Sequence, residues 1–262
     1  MHFREFCSTG WADYQLLDFG DQFRYEQFGA YRLIRPDPQA TEKPGTAQKN
    51  WKKEAHALFT ETGHQQGAWE LFKPMPEQWD IALPVGNGLK MRLKRTQFKH
   101  VGLFPEQQVN WDFIFSNLRA QPGSKFLNAF AYTGAASLTA KAAGADVIHV
   151  DALRQLIDWT ALNQQKSNLQ DIRWVVDDAL SFLKKERQRG KTYQGLVMDP
   201  PAFGRAPGGK RWQLKSQISE LWENALHLLQ PHGFLILNTY SQGISSILED
   251  LFRKKHPFHL YI

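Results

Sequence analysis

Four short stretches of the 262-residue chain carry residue types suited to holding a small molecule: Phe130-Ala131-Tyr132-Thr133-Gly134, Asp151, Asp177-Asp178-Ala179 and Asp199-Pro200-Pro201-Ala202-Phe203-Gly204. A glycine after an apolar run lets the backbone pass close to a bound molecule, because no Cβ stands in the way. A carboxylate is an acceptor only, so Asp151 can take hydrogen bonds from both hydroxyls of a ribose. Asp177 and Asp178 can meet an adenine edge in the same manner, while Asp178 serves equally well as the N-cap of a helix that Ala179 begins. In the fourth stretch two prolines stiffen the chain and hold Asp199 extended. That turn is either the rigid end of a buried strand or a wall for a flat acceptor, with Phe203 over one face and Asp199 accepting from an amino group.

Several chemistries are excluded by what the chain lacks. No GxGxxG run follows a strand and no GxxxxGK[ST] run is present, which argues against a dinucleotide or nucleoside-triphosphate cradle. The nine histidines form no HExxH pattern or close ligand set, and the single cysteine, Cys7, makes neither an internal disulfide nor a cysteine-rich metal site. No metal is therefore expected, and the cysteine usage fits a reducing cytoplasm.

The four stretches fall at the ends of apolar runs that alternate with helix-length segments. The pattern predicts a helix over Val109–Leu118 and then strands over Lys125–Phe130, Asp146–Val150, Ile172–Val176, Tyr193–Met198 and Gly233–Asn238. Helices are predicted between them over Gly134–Ala143, Arg154–Ser167, Ala179–Gln188 and Gln213–Leu229. Strands joined by helices of ten or more residues pair in parallel through right-handed crossovers, and near-continuous apolar strands are covered on both faces. The expected fold is a doubly wound, mostly parallel α/β sheet, and the carboxyl edge of such a sheet is where ligands bind.

The chain before this pattern differs in texture. To about residue 88 it is rich in aromatics and turn residues, which predicts a small β-rich domain over 1–88 with candidate strands Phe28–Arg35 and Ile81–Leu83, followed by the α/β domain over 89–262. Leu89 to Lys94 alternates in period two and sends Lys90, Arg92 and Lys94 to one face. That face is either the wet side of a hairpin or a phosphate-contacting strip. Arg205, Lys210, Arg211 and Trp212 lie in a glycine- and proline-containing segment that suits either RNA contact or a solvent-exposed loop whose Trp212 tucks against the next helix. A net charge of +6 and a pI near 9.3 favour a polyanionic partner. The longest apolar runs, such as Phe234–Leu237, are too short to span a bilayer, and the N-terminus carries no apolar targeting core. A cytoplasmic location is expected, and the oligomeric state is left open.

From roughly Phe28 to Gly243 the sequence resembles the class I methyltransferases related to the bacterial 23S rRNA methyltransferases that act on cytosine C5 or guanine N7. The matching segments are Arg35-Pro36-Asp37-Pro38-Gln39-Ala40, Lys99-His100-Val101-Gly102-Leu103-Phe104-Pro105-Glu106-Gln107, Phe130 to Gly134, His149-Val150-Asp151, Asp178-Ala179 and Asp199 to Gly204. The resemblance implies a Rossmann-like sheet that binds S-adenosylmethionine. It implies that Phe130, Tyr132, Thr133 and Gly134 meet the methionine and ribose parts, that Asp151 holds the ribose, and that Asp178 with Ala179 meets the adenine. Asp199, Pro200, Pro201 and Phe203 would face the transfer site, and Phe104 and Gln107 would close over the cofactor. The chain departs from the cytosine-C5 members where they place a thiolate, because Gln242 stands in Thr239-Tyr240-Ser241-Gln242-Gly243. Methylation at C5 needs covalent activation of the ring, which glutamine does not supply and for which Cys7 lies far off in sequence. Sheets of this class normally end in an antiparallel pair, for which residues 257–262 offer at most one short strand.

The expected reaction is therefore direct displacement onto a ring nitrogen or an exocyclic amine of a nucleic-acid base, with rRNA as the substrate. A methyltransferase for a small molecule or a protein, and a non-catalytic cofactor- or RNA-binding module, are the alternatives.

Overall fold

The computed structural model describes residues 10–63, 66–205, 211–240, 244, 247 and 251, with Arg205 described in its backbone alone. The chain divides into two compact units, one of residues 8–108 and one built on residues 109–262.

The first unit holds a five-stranded sheet of β1 (Tyr14–Gly20), β2 (Phe23–Phe28), β3 (Tyr31–Pro36), β4 (Ala57–Gly63) and β5 (Gln66–Leu71), in that order. Neighbours are antiparallel except β3 and β4, whose parallel pairing needs the crossover that α1 (Gln48–Glu54) supplies. The candidate strand Phe28–Arg35 starts on the last residue of β2, crosses a turn and continues as β3. Gly29 turns the chain at a φ of +60°, and Phe28 pairs with Tyr31 across the turn, so the run lies across a hairpin. Trp51 pins α1 down: it is buried, stacks on Tyr25 at 5.7 Å and donates its indole N–H to Asp18. Within the sheet Arg35 and Glu26 form a buried two-pronged pair at 2.8 and 2.9 Å, and Arg35 also donates to the carbonyl of Lys99. A second hairpin, β6 (Gln78–Ala82) with β7 (Lys90–Lys94), completes the unit and buries Met91 and Leu93 beneath its polar face.

The second unit opens with α2 (Gln108–Arg119). It continues through β8 (Lys125–Ala129), α3 (Ala135–Ala142), β9 (Asp146–Asp151), α4 (Arg154–Lys166), β10 (Ile172–Val176), α5 (Ala179–Gln188) and β11 (Tyr193–Met198). The short hairpin β12 (Phe203–Arg205) and β13 (Arg211–Gln213) follows, then α6 (Leu214–His227) and β14 (Leu229–Leu237). The sheet order is β10-β9-β8-β11-β14, with every pair parallel. Its apolar strands are covered as their composition demands. Leu127, Val150, Leu183, Leu196, Met198, Ile218 and Leu221 share one buried cluster between the sheet and its helices. Each such side chain contributes roughly 1.5–3 kcal/mol through removal from water. Among the described residues no helix is long and apolar enough to cross a membrane.

Candidate functional site

The strand order reverses at β8, whose neighbours are β9 on one side and β11 on the other, and a crevice opens at the carboxyl end of such a switch point. The register brings the tips level. Ala129 lies opposite Val150 and Met198, Asp151 opposite Val176, and Met198 opposite Leu237. The exits that carry Phe130, Asp151, Asp177-Asp178 and Asp199 therefore leave the same edge of the sheet.

The turn from β8 into α3 is wound tightly. Phe130 (φ +56°), Tyr132 (φ +52°) and Gly134 (φ +87°) are left-handed, a conformation that costs a non-glycine residue on the order of 1–3 kcal/mol. Neighbouring groups hold it there. Ala131 N–H donates to the carbonyl of Val150 at 3.1 Å, and Tyr132 N–H donates to Asp151 Oδ2 at 2.9 Å. From α4, Thr160 Oγ1 donates to the Tyr132 carbonyl at 3.1 Å and Asn163 donates to the Thr133 carbonyl at 3.0 Å. At Gly134 a Cβ would collide with Thr160 Cγ2, so glycine is required by packing as well as by φ. Beneath the turn, Asn128 donates to Ser137 Oγ at 2.9 Å and Ser137 lies 2.9 Å from His149 Nδ1, all three buried. Burial pushes the His149 imidazole down to about 3.

Asp151 is 7% exposed, and its carboxylate takes the Tyr132 N–H on one oxygen and the Leu153 N–H, at 2.9 Å, on the other. Burial raises its pKa above the usual aspartate range, against the pull of backbone N–H groups of Leu153, Tyr132 and Ala152. The carboxylate retains capacity for a further donor. Two apolar side chains unforeseen from the sequence stand at the same edge: Leu153, 46% exposed, after β9 and Val176, 42% exposed, at the end of β10. Nothing in the residue types distinguishes these from core positions; only the strand ends reveal them.

Asp178 caps α5, with Oδ1 accepting from the Ser181 backbone N–H at 2.9 Å and the Ser181 hydroxyl at 2.7 Å. Asp177 accepts from the Asp178 N–H and pairs with Lys185. The side chain of Ala179 is buried in the core cluster, so its backbone alone faces the edge.

On β11, the Asp199 N–H reaches the Ala129 carbonyl at 3.4 Å and ties the two central tips together. Pro200 is buried and Pro201 exposed. Phe203 stands 73% exposed. Trp212 does not stack outward as the RNA-contact reading required: it is 5% exposed, donates its indole N–H to the Pro201 carbonyl at 2.6 Å and packs on Phe130 at 4.8 Å between ring centres. It fastens the Asp199 turn to the Phe130 turn. Arg211 is exposed at the start of β13, while Lys210, Gln242 and Cys7 lie outside the described residues.

In the other unit, Arg92 faces Asp80 across the hairpin, forms an ion pair with it and also donates to Gln78, so its charge is spent within the hairpin. Of the two readings of this face, the ion pair favours the wet side of a hairpin, on which Lys90 is exposed and Lys94 half-buried. Phe104 lies half-buried before a 3-10 turn over Pro105–Gln107, where the Gln107 N–H donates to the Phe104 carbonyl at 3.1 Å. Among the described residues no group of three or more His, Cys, Asp or Glu is placed to hold a metal ion.

The all-parallel order about β8, with a wound turn and carboxylates at the reversal, defines a Rossmann-like methyltransferase core. Residues 29–261 match the S-adenosylmethionine-dependent methyltransferase family, and the chain belongs to it. A solved structure, the SAM-dependent methyltransferase from Agrobacterium tumefaciens, is 36% identical with a TM-score of 0.86 over 94% of this chain and 79% of that one. A solved structure from Streptococcus mutans shares the fold at 18% identity and a TM-score of 0.72, over 93% of this chain and 66% of that one. Among curated proteins, ribosomal RNA large subunit methyltransferase I of Cronobacter sakazakii is 29% identical over 64% of this chain and 41% of its own length. Methyltransferase K/L of Shewanella frigidimarina is 27% identical over 63% of this chain and 23% of its own. The chain thus matches less than half the length of these curated relatives. The cofactor of the family is S-adenosylmethionine, and the residues at this edge fit it: the buried Asp151 carboxylate is an acceptor for hydroxyls, and Leu153 and Val176 are exposed aliphatic side chains suited to a flat heterocycle.

Proposed function

We propose that this protein transfers a methyl group from S-adenosylmethionine directly to a ring nitrogen or an exocyclic amine of a nucleic-acid base, with ribosomal RNA as the substrate. The observation that carries the reading is the Asp199-Pro200-Pro201 turn at the reversal of strand order, held to the Phe130 turn by Trp212, with Phe203 exposed beside it. The names of the curated relatives support the RNA substrate.

When bound, the cofactor supplies a methyl carbon already activated by sulfonium charge. The protein's own task is then alignment and exclusion of water. Asp151 would accept from the ribose hydroxyls through the unused capacity of its carboxylate, Leu153 and Val176 would cover the adenine, and Asp178 Oδ2 would meet the adenine amino group. Phe130, Tyr132, Thr133 and Gly134 offer their backbone to the methionine part. Phe203 covers one face of the acceptor base, while Asp199 accepts a hydrogen bond from its amine. On taking the methyl group that the cofactor would release from its sulfur, an exocyclic amine would give up its proton to Asp199 or to water. A base within a duplex must leave the stack first. Lys90, Lys94 and Arg211, with Arg205 and Lys210, are the phosphate contacts in this reading.

The test is incubation of the protein with methyl-labelled S-adenosylmethionine and separate RNA, DNA, protein and small-molecule fractions. Label is expected in RNA, and nucleoside analysis is expected to find it on nitrogen. Label in another fraction alone, or cofactor binding without incorporation into any fraction, overturns the proposal.

A further inference from the structure

The first unit carries a group of cations that the cofactor site does not use. Lys49, Lys52 and Lys53 occupy i, i+3 and i+4 of α1 and so share one face of the helix. All three are exposed, because Trp51 is buried on the opposite side and fixes which way the helix faces. Lys73 joins them: its ammonium donates to the Glu54 carbonyl at 2.9 Å at the end of the helix, and the Lys52 ammonium lies 5.9 Å over the ring of the neighbouring Phe72. Four lysines and an aromatic ring therefore meet around one short helix.

The nearby acids are committed elsewhere. The Glu54 carboxylate pairs with Arg32, and Asp18 turns inward to the Gly45 and Thr46 N–H groups and the Trp51 indole. His56, packed beneath the end of α1, accepts the Arg32 backbone N–H through Nδ1, which favours its neutral form. Its pKa is lowered by burial and by the charges of Lys73 and Arg32, in keeping with a positive field over this face. The helix dipole accounts for Lys52 and Lys53 in the last turn. It does not account for Lys49, which sits a turn earlier beside both and is repelled by them. An excess of like charge on one turn is costly in the free protein and is relieved by a polyanion. Lys49 and Lys53 are about 6 Å apart along the axis, the scale on which a phosphodiester chain presents successive charges.

We propose that Lys49, Lys52, Lys53 and Lys73 form a binding surface for the RNA backbone, apart from the methyl-transfer site. The proposal rests on the reading of the substrate as RNA and adds where its phosphates are gripped. Lysine point charges contact phosphate without reading sequence, so this surface sets affinity and salt dependence, not the choice of base.

The test compares the wild type with the triple variant Lys49→Gln, Lys52→Gln, Lys53→Gln. Binding of a fluorescently labelled single-stranded RNA is measured across a salt series, with S-adenosylmethionine affinity measured by calorimetry on both proteins. Removing three contacts is expected to flatten the slope of log K against log salt by about 2, with cofactor affinity unchanged, and the Lys→Arg triple variant is expected to keep the wild-type slope. If the wild type binds RNA with a salt-dependent slope that the Gln variant retains, this surface is ruled out while the RNA reading stands. If the wild type binds no RNA, both fall. Loss of binding to phosphatidylserine-containing vesicles with RNA binding untouched reassigns the lysines to a membrane surface and overturns the proposal.

Discussion

At single residues, two positions separate backbone strain from chemistry. Gly134 combines a left-handed φ with a contact that leaves no room for a Cβ beside Thr160 Cγ2. Gly134→Ala is expected to cost more than about 1 kcal/mol of stability and to weaken cofactor binding at least tenfold. Adding Thr160→Ser removes the colliding methyl group but keeps the hydroxyl that holds the Tyr132 carbonyl, so the double variant should recover part of both losses, leaving the φ penalty. Urea denaturation and calorimetry on the two variants measure the split. His149 is a second case. Burial pushes its folded pKa down to about 3, below the ordinary 6.5 of an imidazole, so the neutral ring favours the folded state fully above about pH 6.5, and this contribution is lost as pH falls toward 3. Replacing it by leucine removes the titrating group. The urea midpoint of His149→Leu should then fall less steeply over that acid range than that of the wild type, and parallel curves would refute the assignment.

At the scale of elements, the β12–β13 hairpin assigns opposite roles to its two aromatics. Phe203→Ala is expected to leave the melting temperature and cofactor affinity near wild type while lowering the methyl-transfer rate, because the ring is mostly exposed. Trp212→Ala removes a buried indole between two turns of the site and is expected to cost about 3–5 kcal/mol, which thermal unfolding reads directly. The sequence of this region makes the strands, the helices and the carboxylates at their tips legible, because continuous apolar runs and Asp-Pro-Pro punctuation follow from local chemistry. It does not reveal which of two aromatics nine residues apart faces inward, since that depends on Phe130 arriving from a distant strand. The turn inside Phe28–Arg35 escaped for a related reason: Phe28 belongs to β2 and Tyr31 to β3, and only their pairing across Gly29 separates the two. The two readings of the Lys90–Lys94 face could not be separated in the sequence, because the partner of Arg92, Asp80, sits on the facing strand and cross-strand pairing is decided by register.

At the scale of the whole molecule, charge and topology point in different directions. The net charge of +6 is spread over many residues, and much of it is paired, as at Arg92 with Asp80, Lys184 with Glu220 and Lys185 with Asp177. Overall charge is therefore a weaker guide to the substrate than local excess. The sheet order carries a separate consequence for how the protein comes into being. Strands β8, β9 and β10 are consecutive in the chain and can assemble as they leave the ribosome, but the other flank of β8 waits for β11, which is synthesised only after two full crossovers have been completed. During that interval an unpaired hydrophobic margin is open to neighbouring nascent chains. A lesion in β11 would therefore show itself first as poor yield and clumping in the cell, before any enzyme assay registered a defect.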